Sequence, residues 1–278
     1  MSEDVASIIP RGIVTLAKLL RWAHLNGVVR SVRTRASLEL FRQLHEQVIH
    51  NSRELGVRME DWNLTQVETT NLAKNVCTAS THLLSNLLEL KSGHLHCCIK
   101  VLLPPTEKDS TPNNAQVATW IRSEPYDARP NDKTLYHVSD NSVWSSLLGC
   151  NDGKFDWEIP YSCFACNDLY AHESFRNSRA NWRNYYRSAL VFPIRYMTHE
   201  EGQAVFNVMG FLAFDAPNKR AFDNVPDIYD YKDDLGKRAE YFSLLSNTTV
   251  FQVGAVIADT LSMFLRPAYA NHSKKKDL

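Results

Sequence analysis

The strongest pattern in the chain is a pair of hydrophobic runs that lie close together in the sequence. They occupy residues 189–194 (ALVFPI) and 208–215 (VMGFLAFD), and neither alternates between apolar and polar positions. Continuous hydrophobicity of this kind is typical of strands that are covered on both faces of a sheet. The charged segment between the runs, 198–203, contains Gly202, which favours a reversal of the chain. We therefore predict a β-hairpin at the centre of a sheet.

Two long helices are predicted, one before the hairpin and one after it. Residues 61–91 carry apolar side chains three or four positions apart from Leu72 to Leu90, which is the spacing of one helix face. Residues 234–265 are apolar on more than one side. Together the helices offer more apolar surface than one sheet face covers, so they cover each other or pack on a second chain. We expect a homodimer that forms through these helices.

Shorter segments complete the predicted sheet. Side chains alternate along residues 94–103, so that His94, His96 and Cys98 share one face and Cys97 lies on the other. Ligands two positions apart on a strand point in parallel and do not converge on one ion, so we expect no metal there. A second strand is predicted at 117–121. Between residues 126 and 184 the periodicity disappears and aromatic and polar residues dominate, as in loops that carry recognition.

The hairpin and the residues after it resemble the closing half of a GAF domain, a sensor fold whose sheet carries a small-molecule pocket. The resemblance lies in the order YRSALVFPIR, then VMGFLAFDAPNKRAF, then a long helix, and it covers roughly residues 64–265. It implies an α+β fold with a GAF-like antiparallel sheet flanked by helices. The chain then divides into a helical N-terminal extension (1–60), a GAF-like sensor domain (61–266) and a flexible tail (267–278).

The resemblance also implies a pocket between the hairpin and the segment before it. Gly210 would allow a ligand or a lid to approach its strand closely, and the aromatic residues would flank a ligand or, equally, close an ordinary core. The predicted ligand-binding residues are Trp157, Tyr161, Phe164, Asn167, Asp168, Arg176, Asn177, Arg187 and Gly210. Arg176 and Arg187 suit a carboxylate or phosphate, because a guanidinium donates two parallel hydrogen bonds, but they suit an exposed surface as well. We expect a small, partly aromatic or anionic ligand. The sequence identifies neither this ligand nor a cofactor.

Two ligand classes of this family lack their motifs here. Members that bind cyclic nucleotides carry Asn-Lys, then Phe and an Asp-Glu pair, whereas this chain has Asn-Lys at 218–219 and Phe222 without the acidic pair. Members that carry a bilin attach it to a Cys followed by His, and none of the six cysteines is followed by His. Free-methionine-sulfoxide reductases share the fold and use loop cysteines, so Cys150, Cys163 and Cys166 keep a redox enzyme as an alternative.

Sequence motifs of common enzyme classes are absent from the chain. It contains no Gly-x-Ser-x-Gly, no Gly-x-x-x-x-Gly-Lys and no Gly-x-Gly-x-x-Gly, which disfavours the corresponding hydrolases and dinucleotide enzymes. Four residues have the outline of a zinc site, but they do not form the two close pairs that structural zinc usually binds. They are Cys150, Cys163, Cys166 and His172. We predict neither catalytic residues nor a bound metal. The alternatives to a ligand-binding sensor are a redox or metal-dependent enzyme and an interaction module without a ligand.

Composition limits the expected partners and location. The chain has 31 basic and 31 acidic residues, so no global field draws it to nucleic acid or to an anionic membrane. Charged residues interrupt every apolar stretch before it reaches the length of a membrane span, and the chain starts without a signal-peptide pattern. The six cysteines are therefore expected as thiols in a reducing compartment. We expect a cytoplasmic signalling protein that binds a small ligand and relays the event through its terminal helices to a partner or a separate effector protein.

Overall fold

The computed structural model describes residues 66–91, 93–103, 115–123, 134–148, 150–151, 154–155, 163–200, 203–230 and 235–274. The predicted N-terminal extension, 1–60, lies outside these ranges, as do the predicted site residues Trp157 and Tyr161. The prediction of one helix over 234–265 is wrong, because the structure has two helices there, Leu235–Ser246 and Thr249–Lys274, with a bend of 87° between them. The second of these continues to Lys274, past the predicted domain boundary at 266.

Helices and strands alternate irregularly along the described part of the chain. The helices are α1 (Gln66–Leu87), α2 (Ser142–Leu147), α3 (Leu235–Ser246) and α4 (Thr249–Lys274). The strands are β1 (His96–Leu103), β2 (Gln116–Arg122), β3 (Tyr136–His137), β4 (Cys150–Asn151), β5 (Lys154–Phe155), β6 (Phe164–Cys166), β7 (Ser188–Glu200) and β8 (Gln203–Ala216). Short 3-10 turns connect several of them.

Six strands form one antiparallel sheet in the order β3–β2–β1–β8–β7–β6, and β4 pairs with β5 separately. Strands β7 and β8 are the predicted hairpin, paired from Ser188 with Ala216 to Glu200 with Gln203. Strand β8 lies inside the sheet between β1 and β7, which explains why its sequence is continuously hydrophobic. The sheet and its helices confirm the α+β class with an antiparallel sheet.

Helices α1 and α4 pack on one face of the sheet. Phe192 of β7 is buried there, and its ring centroid lies 5.9 Å from that of Phe251 in α4. Gly254 of α4 lies directly against the same ring, because a Cβ at this position would be 2.2 Å from Phe192 Cζ. The absence of a side chain at Gly254 therefore allows α4 to lie close to the sheet.

The opposite face of the sheet carries smaller and more polar residues. The predicted alternation of β1 is confirmed, since Cys98 and Lys100 line a cavity on this face while Cys97 contacts α1 on the other. Trp144 of α2 packs over the cavity face, with its ring centroid 4.7 Å from that of Phe211 in β8. One sheet thus separates a helical layer from a cavity.

Gly210 is positioned by the sheet itself. It pairs with Val101 of β1 on one side and with Ile194 of β7 on the other. A Cβ at Gly210 would lie 2.1 Å from the carbonyl oxygen of Lys100. The absence of a side chain at Gly210 therefore allows strand β1 to approach β8 closely. The sequence had suggested that a ligand or a lid would approach this glycine.

The two long helices use much of their apolar surface within the chain. Leu84 of α1 and Ile257 of α4 are buried, while Val256 remains partly exposed beside the core. The homodimer therefore stays a prediction. Among the described residues, no single helix has the length and hydropathy of a membrane span. The segments Glu240–Ser246 and Thr249–Ser262 meet both criteria only when they are taken together, and a bend of 87° separates them.

Candidate functional site

A cavity of about 80 Å³ lies on the sheet face opposite α1 and α4. Strands β1, β2, β7 and β8 form its floor, and α2, β3 and the segment 177–179 form its walls. One water molecule needs roughly 10–15 Å³ of such space, so the cavity accommodates several waters or a small ligand. It is much smaller than the roughly 300–1,000 Å³ that drug-sized ligands occupy.

The charged residues that line the cavity are mostly cationic. Lys100, Arg122 and Arg179 contribute three positive charges, and Asp215 contributes the single carboxylate among the lining residues. The chain as a whole has equal numbers of basic and acidic residues, so this surplus is local. Because the interior has a lower effective dielectric constant than water, the surplus attracts an anion more strongly here than it would on the surface.

Lys100 is held between the floor and one wall of the cavity. Its Nζ donates a hydrogen bond to Oγ1 of Thr119, its partner in strand β2, at 2.8 Å. The same ammonium lies 5.5 Å from the centroid of the Trp144 ring, a distance at which the cation is attracted to the ring face. These contacts fix the position of the charge before any ligand binds.

Asp215 lies at the opposite, buried end of the floor, with 7% of its surface exposed. It pairs across the sheet with His96 of β1 and Ala189 of β7. Among the described residues, Nδ1 of His96 is buried and has no hydrogen-bond partner. Buried polar atoms are normally satisfied by protein, water or ligand, so a water molecule beside His96, next to this end of the floor, would be expected.

Asn177 shapes the wall that brings Arg179 to the cavity. Its Oδ1 accepts a hydrogen bond from the Arg179 N–H at 2.9 Å, and its Nδ2 donates to the Tyr186 hydroxyl. The Arg179 guanidinium also lies 5.6 Å from the centroid of the Tyr185 ring. Of the predicted site residues that the structure describes, Asn177 alone lines the cavity.

Helix α2 forms the wall that carries Trp144. Asn141 is the N-cap of this helix, because its side chain accepts a hydrogen bond from the Val143 N–H at 2.9 Å. Asn141, Val143 and Trp144 all line the cavity. The cap therefore positions the aromatic wall of the site.

Asn167 makes its hydrogen bonds with the loop after β8. Its Nδ2 donates to the carbonyl oxygens of Phe222 and Val225 at 3.1 and 3.2 Å, and its Oδ1 accepts from the Phe222 N–H at 3.0 Å. The predicted ligand-orienting amide thus joins two segments of the backbone.

Asp168 and Arg187 form a bidentate ion pair with each other. Arg187 Nε donates to Asp168 Oδ1 and Nη2 donates to Oδ2, both at 2.7 Å. Hydrogen bonding to this guanidinium lowers the pKa of Asp168. Arg187 also lies 5.1 Å from the centroid of the Tyr170 ring. The structure therefore places the predicted anion-binding Arg187 against a carboxylate of the same chain.

Two further predicted residues lie away from the cavity. Arg176 is exposed, and its backbone N–H donates to Ser142 Oγ at 2.8 Å. Phe164 is buried in β6, with its ring centroid 6.5 Å from that of Phe175 and 6.2 Å from that of Tyr229. Phe164 is therefore part of an aromatic core. This was the second role considered for the aromatic residues of this segment, beside contact with a ligand.

The cationic residues of the cavity were missed by the sequence analysis. Lys100, Arg122 and Arg179 come from β1, β2 and the segment before β7, and Asp215 comes from the end of β8. The available signal was the alternation of β1, which places Lys100 on the same face as Cys98. The identity of the facing residues depends on strand order and register, which local spacing does not contain.

Cys163 immediately precedes strand β6, and Cys166 is the last residue of that strand. Cys166 pairs with Ala189, which lines the cavity, whereas the backbone oxygen of Cys163 accepts a hydrogen bond from the Tyr241 hydroxyl of α3 at 3.3 Å. Burial raises the pKa of both thiols, and the nearby Asp227 carboxylate raises that of Cys166 further. Both therefore favour the protonated form, which is the less nucleophilic one.

No protein-family model and no curated protein matches the chain. The function is therefore inferred from the cavity, its charges and its position on the sheet.

Proposed function

We propose that the chain is a GAF-like sensor domain that binds a small organic anion in the cavity above the sheet. The observation that carries this proposal is the lining of three cationic side chains, Lys100, Arg122 and Arg179, against the single carboxylate of Asp215. An anionic ligand would be attracted by this local surplus of positive charge.

The shape and the remaining lining residues define the ligand further. Trp144 and Val143 form an apolar wall, and the floor includes small apolar residues such as Ala189 and Ala213. A cavity of about 80 Å³ suits a compact molecule with one anionic group and a short apolar body, such as a small carboxylic acid. A carboxylate would accept hydrogen bonds from the guanidinium and ammonium groups, which are stronger than those between neutral groups.

The signal would travel through the sheet to the helices. Strand β1 carries Lys100 on the cavity face and Cys97 against α1 on the other face, so both layers contact one rigid element. A ligand that shifts β1 therefore changes the packing of α1. We propose that α1 and α4 pass this change to a second copy of the chain or to a separate effector protein.

The test is a thermal-shift screen of the full chain with small carboxylic acids, amino acids, inorganic phosphate, nucleotides and tetrapyrroles. A ligand at one hundred times its dissociation constant adds about 2.7 kcal/mol to the free energy of unfolding, which raises Tm by about 5–10 °C in a domain of this size. We expect the largest shift from a small carboxylic acid.

Lys100→Met tests whether the shift comes from the cavity. Loss of one charged hydrogen bond should weaken binding about 10–100-fold in titration calorimetry. Lys91→Met is the matched control, because Lys91 is exposed and does not line the cavity. If no compound in the panel raises Tm, or if both variants bind the best anion equally well, the proposal fails and the interaction module without a ligand is favoured.

The cysteines give the redox alternative little support. Burial raises the pKa of both Cys163 and Cys166, which opposes the thiolate that redox catalysis needs. The side chain of Cys150 lies outside the described residues.

A further inference from the structure

Three metal-ligating side chains meet beside strand β6, away from the cationic residues of the cavity. The Sγ atom of Cys166, one ring nitrogen of His172 and one carboxylate oxygen of Asp227 all lie within 4.8 Å of one another. Cys166 ends β6, His172 follows the 3-10 turn Leu169–Ala171, and Asp227 precedes the 3-10 turn Ile228–Asp230. Residues from two distant parts of the chain are thus brought to one point.

The carboxylate of Asp227 is oriented by the backbone. Its Oδ2 accepts a hydrogen bond from the Asn167 N–H at 2.8 Å, and its Oδ1 accepts one from the Tyr229 N–H at 3.0 Å. Each carboxylate oxygen has a second lone pair that can bind a metal ion. Outer contacts of this kind hold metal ligands in place in known sites.

The imidazole of His172 is oriented by an aromatic ring. It stacks on Tyr229 with a centroid distance of 3.8 Å and an interplanar angle of 11°. Tyr229 therefore contacts two members of the group, through its ring to His172 and through its N–H to Asp227. The relative position of these two ligands is set by one residue.

We propose that Cys166, His172 and Asp227 bind one zinc ion, with a fourth coordination position open to water or to a small ligand. Thiolate, imidazole and carboxylate are all zinc ligands, and three protein ligands with an open position are typical of non-structural zinc sites. On binding, the metal replaces the proton of the Cys166 thiol, which leaves to solvent. The two anionic ligands then balance the charge of Zn²⁺.

The ligand distances are compatible with this assignment. Tetrahedral zinc with bonds of about 2.0–2.3 Å requires ligand atoms roughly 3.3–3.6 Å apart. The separations of at most 4.8 Å therefore need to shorten by about 1.5 Å or less, which side-chain rotation can supply.

The proposed set differs from the one considered from the sequence. Cys163, three positions before Cys166, is not among the three residues whose ligand atoms meet. Asp227 takes its place, although it is distant in the sequence. The expectation of no metal rested on local spacing, which does not reveal a ligand brought in by the loop after β8.

The proposal is tested by metal analysis and cobalt substitution of the full-length protein. Protein purified without chelators and dialysed against zinc should retain about one zinc ion per chain. The metal-free protein titrated with Co²⁺ should show a thiolate-to-cobalt charge-transfer band, which Zn²⁺ removes by competition. Cys166→Ser and Asp227→Asn should each weaken zinc binding at least about 10–100-fold, the loss seen even for outer contacts of zinc ligands.

Cys163→Ser is the matched control, because it removes a buried thiol just before the same strand, outside the group of ligand atoms, and should leave zinc binding unchanged. The proposal is overturned if wild-type protein holds no zinc and shows no charge-transfer band with Co²⁺, a result that does not depend on whether any variant folds. It is also overturned if Cys163→Ser loses zinc as completely as folded Cys166→Ser does.

Discussion

Asn167 shows how much a single polar side chain contributes to the arrangement of the loops. Its amide makes three hydrogen bonds to the backbone of Phe222 and Val225, and its own N–H donates to Asp227. These bonds tie the end of β6 to the loop after β8. The carboxylate of the proposed zinc site is therefore held in place partly by Asn167.

Replacing Asn167 with alanine should destabilise the protein by about 2–4 kcal/mol, because it leaves partly buried backbone groups without their partners. The measurement is chemical unfolding followed by fluorescence. The exposed residue Asn184 supplies the control, since Asn184→Ala should change stability by about 0.5 kcal/mol or less. If Asn167→Ala is as stable as the wild type but binds the anion more weakly, Asn167 belongs to the ligand site, as the sequence suggested.

Gly254→Ala should also destabilise the protein, although alanine normally favours a helix interior by about 1 kcal/mol over glycine. The added Cβ would lie 2.2 Å from Cζ and 2.3 Å from Cε2 of the buried Phe192 ring. We expect a net loss of about 1–3 kcal/mol, which is the usual cost of overpacking a core.

The double variant Gly254→Ala with Phe192→Leu separates overpacking from other effects. If the ring causes the loss, the double variant should be more stable than the sum of the two single changes implies. A Gly254→Ala protein that is more stable than the wild type would show instead that α4 moves away from the sheet at little cost.

At the scale of elements, those with a strong local pattern were predicted and those that depend on distant partners were not. The hairpin, the first long helix and the alternation of β1 follow from hydrophobic spacing, which acts within a few residues. The predicted helix 234–265 is instead two helices, α3 and α4, separated by a bend of 87° that the apolar spacing did not indicate. The cap at Asn141 follows from its side-chain chemistry. The placement of Lys100 and Asp215 on the floor of one cavity depends on the pairing of β1 with β8, and this pairing joins segments far apart in the chain.

Asn141→Ala tests whether the cap of α2 matters for binding. Loss of the cap should cost about 1 kcal/mol of stability. Because α2 carries Trp144 over the cavity, the affinity for the best anion in the screen should also fall. Titration calorimetry measures the affinity, and Ser146→Ala changes the same helix without removing its cap. Equal weakening by both variants would contradict a specific role for the cap.

At the scale of the whole molecule, one sheet serves two layers with different chemistry. One face is packed with hydrophobic helices, and the other carries a cationic cavity. The net charge of the chain is zero, so the composition gave no indication of this cavity. A local surplus of charge in a neutral protein becomes visible only when the strand register is known.

The homodimer is tested by light scattering at micromolar concentration, where we expect twice the mass of one chain. Leu244 of α3 is 44% exposed, and its burial between two copies would explain a large apolar side chain in that position. Leu244→Glu should therefore shift the protein toward monomer while it stays folded. Ser243→Glu adds the same charge on a different side of the helix and should leave the dimer intact. A monomeric wild type would refute the expectation.

The assembly of the cavity from distant strands also has a consequence for folding kinetics. The binding groups on β1, β2 and β8 come together only after long-range pairing, which is a late and slow event in sheets with non-local contacts. A ligand that recognises all of them has no partly folded form to bind. We therefore expect the anion to slow unfolding without accelerating refolding, so that in stopped-flow experiments its whole stabilisation appears in the unfolding rate constant.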